Sequence, residues 1–248
     1  MDHRAIFIIL FILANLFGIA NADNPQRAAE ELERAMELTP DIENGKTVYR
    51  VCVVCHQPEG WGSVSGYYPQ IAGQLRKVII KQLADIRARN RDNPTMLPFT
   101  MLELLSLQEI ADVSAYIAKL PMTRNNGVGS GTDLARGETI YREECAECHG
   151  KQAEGIVDEH FPLLQGQHYQ YLMRQFRWIR DGRRRNADKK MVKQAQHFSS
   201  RDIAAVMDYI SRLKPPEEKL APKDWRNRDF PRYRPSKYMQ SPQTSADN

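Results

Sequence analysis

The sequence predicts an all-α protein built from two tandem copies of one small helical unit. Three observations carry that prediction. The pattern Cys-x-x-Cys-His occurs twice, at Cys52 to His56 and at Cys145 to His149. The resulting offset, 149 − 56 = 93, then pairs Gly62 with Gly155, Pro69 with Pro162, Gly73-Gln74 with Gly166-Gln167, Gln82 with Gln175, Arg87 with Arg180, Ser106 with Ser199 and Tyr116-Ile117 with Tyr209-Ile210. Self-similarity of this kind marks duplication of a folding unit. Apolar residues recur at helical spacing in both halves, and no segment alternates as a half-buried strand does.

Residues 1–22 read as an export signal: Arg4, an unbroken apolar run from Ala5 to Phe17, then Ala20-Asn21-Ala22 as a cleavage site. The run falls short of the roughly 20 apolar residues that a membrane-spanning helix needs, so Asp23 is the expected mature N-terminus and the periplasm the expected compartment. An uncleaved anchor is the alternative, and would give peripheral membrane association. Residues 23–38 read as an added amphipathic helix. The first unit, 39–121, starts with Thr39-Pro40 as cap and first-turn proline of a helix ending near Cys52. It continues with a helix from Gln74 to Arg89, carrying Leu75, Val78, Ile79, Leu83 and Ile86 on one side. Ser106 and Glu109 form a capping box ahead of Ile110, Val113, Ile117 and Leu120, and Pro121 stops that closing helix. Residues 122–132, with Thr123 to Gly131 rich in Asn, Gly and Ser, read as a flexible linker. The second unit, 133–214, repeats the plan, with Ser199 and Asp202 opening its closing helix and Pro215-Pro216 ending it. Gly45 with Tyr49, and Gly137 with Tyr141, place a small residue and an aromatic one turn apart, letting each first helix approach its closing helix. Residues 215–248 form a proline-rich basic tail containing Trp225, Arg226, Arg228, Phe230, Arg232, Tyr233 and Arg234. Its composition leaves two readings open, disorder or wrapping of the helical units.

Cys-x-x-Cys-His is the signature of c-type haem attachment. Two thiols three residues apart project from one face of a helical turn and can form thioethers with the two vinyl groups of one haem. The adjacent histidine then lies under the iron. Cys52 and Cys55 thus attach one haem with His56 as proximal ligand, and Cys145 and Cys148 a second with His149. All four cysteines of the chain are used. Zinc sites space paired Cys-x-x-Cys motifs by roughly 12 to 20 residues, whereas Cys55 and Cys145 stand 145 − 55 = 90 apart. A thioredoxin-like motif would follow a strand and would not need a histidine behind it twice. For the sixth iron position, the candidates are Met96 and Met191, each in the loop ahead of a closing helix, a polar loop with little core to fill. Met191 lies opposite Pro98 at the repeat offset, leaving Met96 two residues early, so Met101 competes with it. His168 and His197 are weaker candidates. Pro69 and Pro162 each follow the ligand histidine by 13 residues, where a carbonyl can accept the imidazole Nδ1 proton.

Charge is unevenly spread. From Asp23 to Leu120 there are 11 basic and 13 acidic side chains, a balance of 11 − 13 = −2, against 23 − 17 = +6 from Pro121 to Asn248. Such a dipole biases how a charged partner approaches, and Arg183-Arg184-Arg185 with Lys189-Lys190 beside Met191 is the expected docking face for an acidic redox protein. Nucleic acid is excluded as a partner by export and by the lack of any recognition motif.

Cys-x-x-Cys-His, Pro69-Gln70-Ile71-Ala72-Gly73-Gln74, Pro162-Leu163-Leu164-Gln165-Gly166-Gln167, the methionines and the Tyr-Ile closing helices together resemble the dihaem cytochrome c4 family over roughly Asp41 to Leu213. The resemblance implies two tandem class I cytochrome c domains related by a pseudo-twofold axis, each with one covalently bound haem c and His/Met ligation. His56 and Met96 would hold one iron, His149 and Met191 the other. It also implies a periplasmic electron carrier rather than an enzyme, with a membrane oxidase, a cytochrome bc1-type complex or a periplasmic dehydrogenase as redox partner. The chain departs from the pattern at both ends, which raises the alternative of a dihaem subunit dedicated to a periplasmic dehydrogenase. A dihaem peroxidase, which needs an open sixth position, is the remaining rival. Dihaem sulfur enzymes with a cysteine distal ligand lack support, because no fifth cysteine exists.

Overall fold

A computed structural model describes residues 24–231 and 233, so the export signal and the last residues of the tail lie outside it. Ten α-helices order the described residues: α1 (Asn24–Glu37), α2 (Ile42–Val48), α3 (Val53–His56), α4 (Arg76–Arg87) and α5 (Leu107–Lys119), then α6 (Leu134–Ile140), α7 (Ala146–His149), α8 (Tyr169–Arg180), α9 (Lys189–Ala195) and α10 (Ser200–Arg212). Among the described residues the only β pairings are two isolated bridges, Met122 with Leu220 and Ile156 with Phe161. The protein is therefore all-α, as its periodicity predicts.

Each unit packs its first helix across its closing helix. The crossing is close enough that a Cβ on Gly45 would lie 2.3 Å from the Asp112 carbonyl oxygen, and one on Gly137 2.2 Å from that of Ala205. Glycine at those positions is what lets the two backbones meet. The capping boxes form at both closing helices, Ser106 with Glu109 and Ser199 with Asp202. Below the crossings sit two separate cores. One gathers Tyr49, Ile80, Ile110, Val113 and Ile117, the other Tyr141, Phe176, Ile203, Val206 and Ile210. Each fully buried aliphatic or aromatic side chain contributes about 1.5–3 kcal/mol of burial free energy.

The repeat changes register just before each haem motif. Gly45/Gly137 and Tyr49/Tyr141 are 92 apart, whereas Cys52/Cys145 are 93 apart, so the second unit carries one extra residue between tyrosine and cysteine. The first unit makes this connection with a 3₁₀ turn, Tyr49–Val51, and the second with a π turn, Tyr141–Cys145. A π turn absorbs one residue without breaking the helix. The cysteines thereby regain equivalent positions.

Three features differ from the sequence reading. The cap of α2 is Asp41, whose carboxylate accepts from the Glu43 and Asn44 amides, and not Thr39. Met191 lies within the short helix α9, opened by the Asp188 carboxylate. The linker is not a loose connector: Thr123 N–H donates to Gln70 Oε1 (2.8 Å), Asn126 Nδ2 to the Ser211 carbonyl (2.7 Å), and Gly129 and Gly131 N–H to the two Asp208 oxygens (3.0 and 2.6 Å). Composition permits flexibility, but side chains from both units satisfy its backbone donors. Of the two readings open for the tail, the structure takes the second, and the tail wraps the first unit. It leaves α10, pairs Leu220 with Met122, and lays Trp225 on Trp61 and Phe230 on Tyr49, with ring centroids 5.8 and 5.7 Å apart. Asn227, 7% exposed, donates to the Pro58 carbonyl (2.7 Å) and to Tyr116 Oη (2.9 Å). Helix α1 buries Ala28, Leu32 and Ala35 against α4 and α5, with Glu31 paired to Arg87.

Candidate haem sites

Helices α3 and α7 are single turns that close each motif. His56 N–H bonds to the Cys52 carbonyl at 2.9 Å, which puts the two thiols and the ring on consecutive positions of one coil. The exit is fixed by the preceding tyrosine: Tyr49 Oη donates to the Gln57 carbonyl (2.9 Å) and Tyr141 Oη to the Gly150 carbonyl (2.5 Å). These rings therefore do more than fill the core.

His56 is buried, 6% exposed, and His149 is half-buried. In both, Nδ1 lies 3.1 Å from the expected proline carbonyl, Pro69 for His56 and Pro162 for His149. The carbonyl can only accept, so Nδ1 carries the proton and Nε2 is left with its lone pair free. Burial pushes both imidazoles below the ordinary histidine range, with the carbonyl bond acting in the other direction. Each ring also meets an aromatic from the residue before the proline, Tyr68 (centroids 6.3 Å apart) and Phe161 (6.4 Å), a further pair at the repeat offset. The four thiols are unpaired and half-buried. Burial raises the Cys52 and Cys145 thiols to about 12 each, so neither is an exposed thiolate. Unpaired thiols in pairs beside a neutral, oriented imidazole fit a covalently attached iron porphyrin.

Met96 enters a 3₁₀ turn, Leu97–Thr100, and Met101 leaves it. Met96 is half-buried, with its N–H on the Asn93 carbonyl (3.1 Å), while Met101 is 38% exposed. Arg87 holds this loop by donating to the carbonyls of Thr100 and Leu105 as well as to Glu31. Met191, expected in a loop with little core to fill, packs with Cys145 against the second core.

Two family profiles match the chain in tandem. The one described as "Cytochrome c" covers residues 42–121, and the one described as "Cytochrome C oxidase, cbb3-type, subunit III" covers residues 132–210. Cytochrome c4 of Azotobacter vinelandii is 33% identical over 190 residues, spanning 70% of this chain and 89% of the relative. The chain belongs to the cytochrome c4 family. The crystal structure of reduced recombinant cytochrome c4 from Pseudomonas stutzeri superposes with a TM-score of 0.62 at 29% identity, over 71% of this chain and all of that one. A protein of Stutzerimonas stutzeri named "Thiosulfate dehydrogenase electron acceptor" is 30% identical over 172 residues, covering 65% of this chain and 78% of its own. The chain is thus a dihaem electron carrier of two cytochrome c domains, with haem attached at Cys52/Cys55 and Cys145/Cys148.

The cytochrome c4 fold gives other expected residues different work. His168 is buried between the domains: Gly127 N–H donates to its Nδ1 (3.0 Å), so its Nε2–H donates to the Trp61 carbonyl (2.6 Å). Both nitrogens are occupied, and it is an interdomain tie. His197 is exposed. The expected docking cluster is broken up as well. Arg184 reaches across to Gln82 Oε1 (3.1 Å) while also holding Gln175 Oε1 of its own domain (3.0 Å), and Arg185 reaches across to the Arg89 carbonyl (2.9 Å). Arg91 makes the mirror-image contacts, to Gln82 (2.7 Å) and Gln175 (3.2 Å). Arg91 and Arg184 are themselves a repeat pair, 184 − 91 = 93. Burial and the neighbouring Arg91 charge press the Arg184 guanidinium down to about 10.

Proposed function

We propose that the chain is a periplasmic single-electron carrier in which His56 with Met96, and His149 with Met191, are the axial ligand pairs, receiving electrons from a dehydrogenase or a cytochrome bc1-type complex and delivering them to a membrane oxidase. The observation that supports it best is the repeated imidazole whose Nδ1 is tied to a proline carbonyl and whose Nε2 alone is free. Haem bound there supplies a one-electron ferric/ferrous couple, and a thioether in the sixth position keeps the couple high and small substrates out. The chain's own part is to hold the imidazole in one tautomer, to shield the ring from water, and to keep the methionine loop closed through Arg87. The test is the near-infrared sulfur-to-iron charge-transfer band of the oxidised protein. Met191→Ala removes about half of it and Met96→Ala the remainder, as expected for one thioether per iron. Loss on Met101→Ala but not on Met96→Ala overturns the first ligand pair, and a high-spin open site in the unaltered protein moves the reading to a peroxidase.

The donor class is open to a second reading. The likeness to a thiosulfate dehydrogenase electron acceptor supports service to a periplasmic dehydrogenase that oxidises a reduced sulfur compound. Rapid reduction by such an enzyme, set against reduction by a bc1-type complex, decides between the donors.

A further inference from the structure

Each proximal histidine is tied, through the peptide that accepts its Nδ1 proton, to a glutamine of the opposite domain. The carbonyl that accepts from His149 belongs to the Pro162–Leu163 peptide, whose N–H, on Leu163, donates to Gln74 Oε1 of the other domain at 3.0 Å. Gln74 Nε2 in turn donates to the Leu163 carbonyl at 2.9 Å. The arrangement is repeated in the opposite sense. The carbonyl that accepts from His56 belongs to the Pro69–Gln70 peptide, and Gln70 N–H donates to Gln167 Oε1 (3.0 Å) while Gln167 Nε2 donates to the Gln70 carbonyl (2.8 Å). Each glutamine thus brackets one residue of the opposite domain's proximal loop.

The brackets are themselves held rigid. Gln74 Oε1 also accepts from Leu75 N–H, and Gln167 Oε1 from His168 N–H, each at 3.0 Å. Both glutamines follow a glycine of positive φ, Gly73 at +70° and Gly166 at +69°, and those two turns abut the same buried side chain, Met122.

We propose that Gln74 and Gln167 are positioning residues that set, each across the interface, the hydrogen-bond strength of the other domain's axial histidine. This rests on the axial role proposed for His56 and His149. A hydrogen bond accepted from a peptide N–H polarises that peptide and makes its carbonyl a stronger acceptor. A stronger acceptor at Pro162 draws the Nδ1 proton of His149 and gives the ring more imidazolate character. Extra electron density on that ligand favours the ferric form. Gln74, in the first domain, therefore lowers the reduction potential in the second, and Gln167 does the converse. The glutamines touch neither imidazole, so the effect passes entirely through one peptide unit.

The experiment measures both potentials separately, by redox titration followed on resolved haem-methyl NMR signals, together with exchange of the two histidine Nδ1 protons. Gln74→Leu raises the second potential and speeds exchange of the His149 proton about fivefold, the size of one lost neutral hydrogen bond, and leaves His56 as it was. Gln167→Leu does the reverse. Gln74→Glu keeps an acceptor oxygen for Leu163 N–H and retains slow exchange at His149. Gln70→Leu is the control for general loosening, because its side chain ties Gly166 and Thr123 but not a proximal peptide. Shifts in the same domain as the substitution, equal shifts in both, no shift, or an equal effect from Gln70→Leu each overturn the coupling. Absence of hyperfine-shifted His56 and His149 ring signals from the unaltered protein instead overturns the axial reading itself.

Discussion

At Gln57 the backbone turns with φ +66° and ψ 162° to leave the first haem motif, a region that side chains avoid and that costs of order 1–3 kcal/mol. The second motif makes the same exit with Gly150. Gln57→Gly should therefore stabilise the protein by about 1 kcal/mol, the relief of strain exceeding the added chain entropy of glycine. Guanidinium unfolding of the holoprotein checks this, and a loss of stability would show that the Gln57 side chain holds something the backbone angles do not reveal. Residues whose chemistry is local were legible in the sequence: the cysteine and histidine spacing, and the proline carbonyls 13 residues on, which the structure places at 3.1 Å from Nδ1. His168 was not legible, because its partners Gly127 and Trp61 are far from it in the chain. No spacing rule joins them.

Elements with end signals were also readable, the capping boxes of α5 and α10 above all. Those fixed by tertiary contacts were not. Nothing in the composition of Thr123 to Gly131 shows that Asp208 and Gln70 await its amides, and the π turn Tyr141–Cys145 is visible only once the change of offset from 92 to 93 is noticed. The tail could be read two ways, and packing decided between them. Its attachment predicts a consequence: Trp225→Ala combined with Phe230→Ala removes two aromatic contacts with the first domain, each contributing about 1–2 kcal/mol. Trypsin should then cut after Lys219 and Lys223 faster, by local release of the segment, while the haem absorption bands stay in place. Unchanged cleavage would mean that the Asn227 and Asp229 bonds to Tyr116 hold the tail by themselves.

For the whole molecule, duplication explains more than the fold. The same 93-residue offset that pairs Gln82 with Gln175 and Arg91 with Arg184 brings all four side chains together at the domain boundary, so the interface is built from one set of residues meeting its own copy, as in a twofold dimer. Sequence reading took Arg183 to Arg185 as a docking face because a run of charge ordinarily faces solvent; Arg184 and Arg185 instead tie the domains. Arg183 stays exposed, its guanidinium over the Trp178 ring, and Lys189, Lys190 and Lys193 on α9 are exposed and flank Met191. They lie on the half of the chain that carries the +6 balance, where steering toward an acidic redox partner is strongest. Reversing these three lysines to glutamate should slow second-order electron exchange with such a partner by about tenfold at low ionic strength, within the range of electrostatic steering. The gap should close as salt shortens the screening length to about 10 Å at 0.1 M. Arg184→Glu should behave differently, weakening the domain interface and altering stability at every salt concentration. Equal salt-dependent slowing by Arg184→Glu, or none by the lysine reversal, would place the approach of the partner on another face, with the arginine-rich tail on the first domain the next surface to reverse.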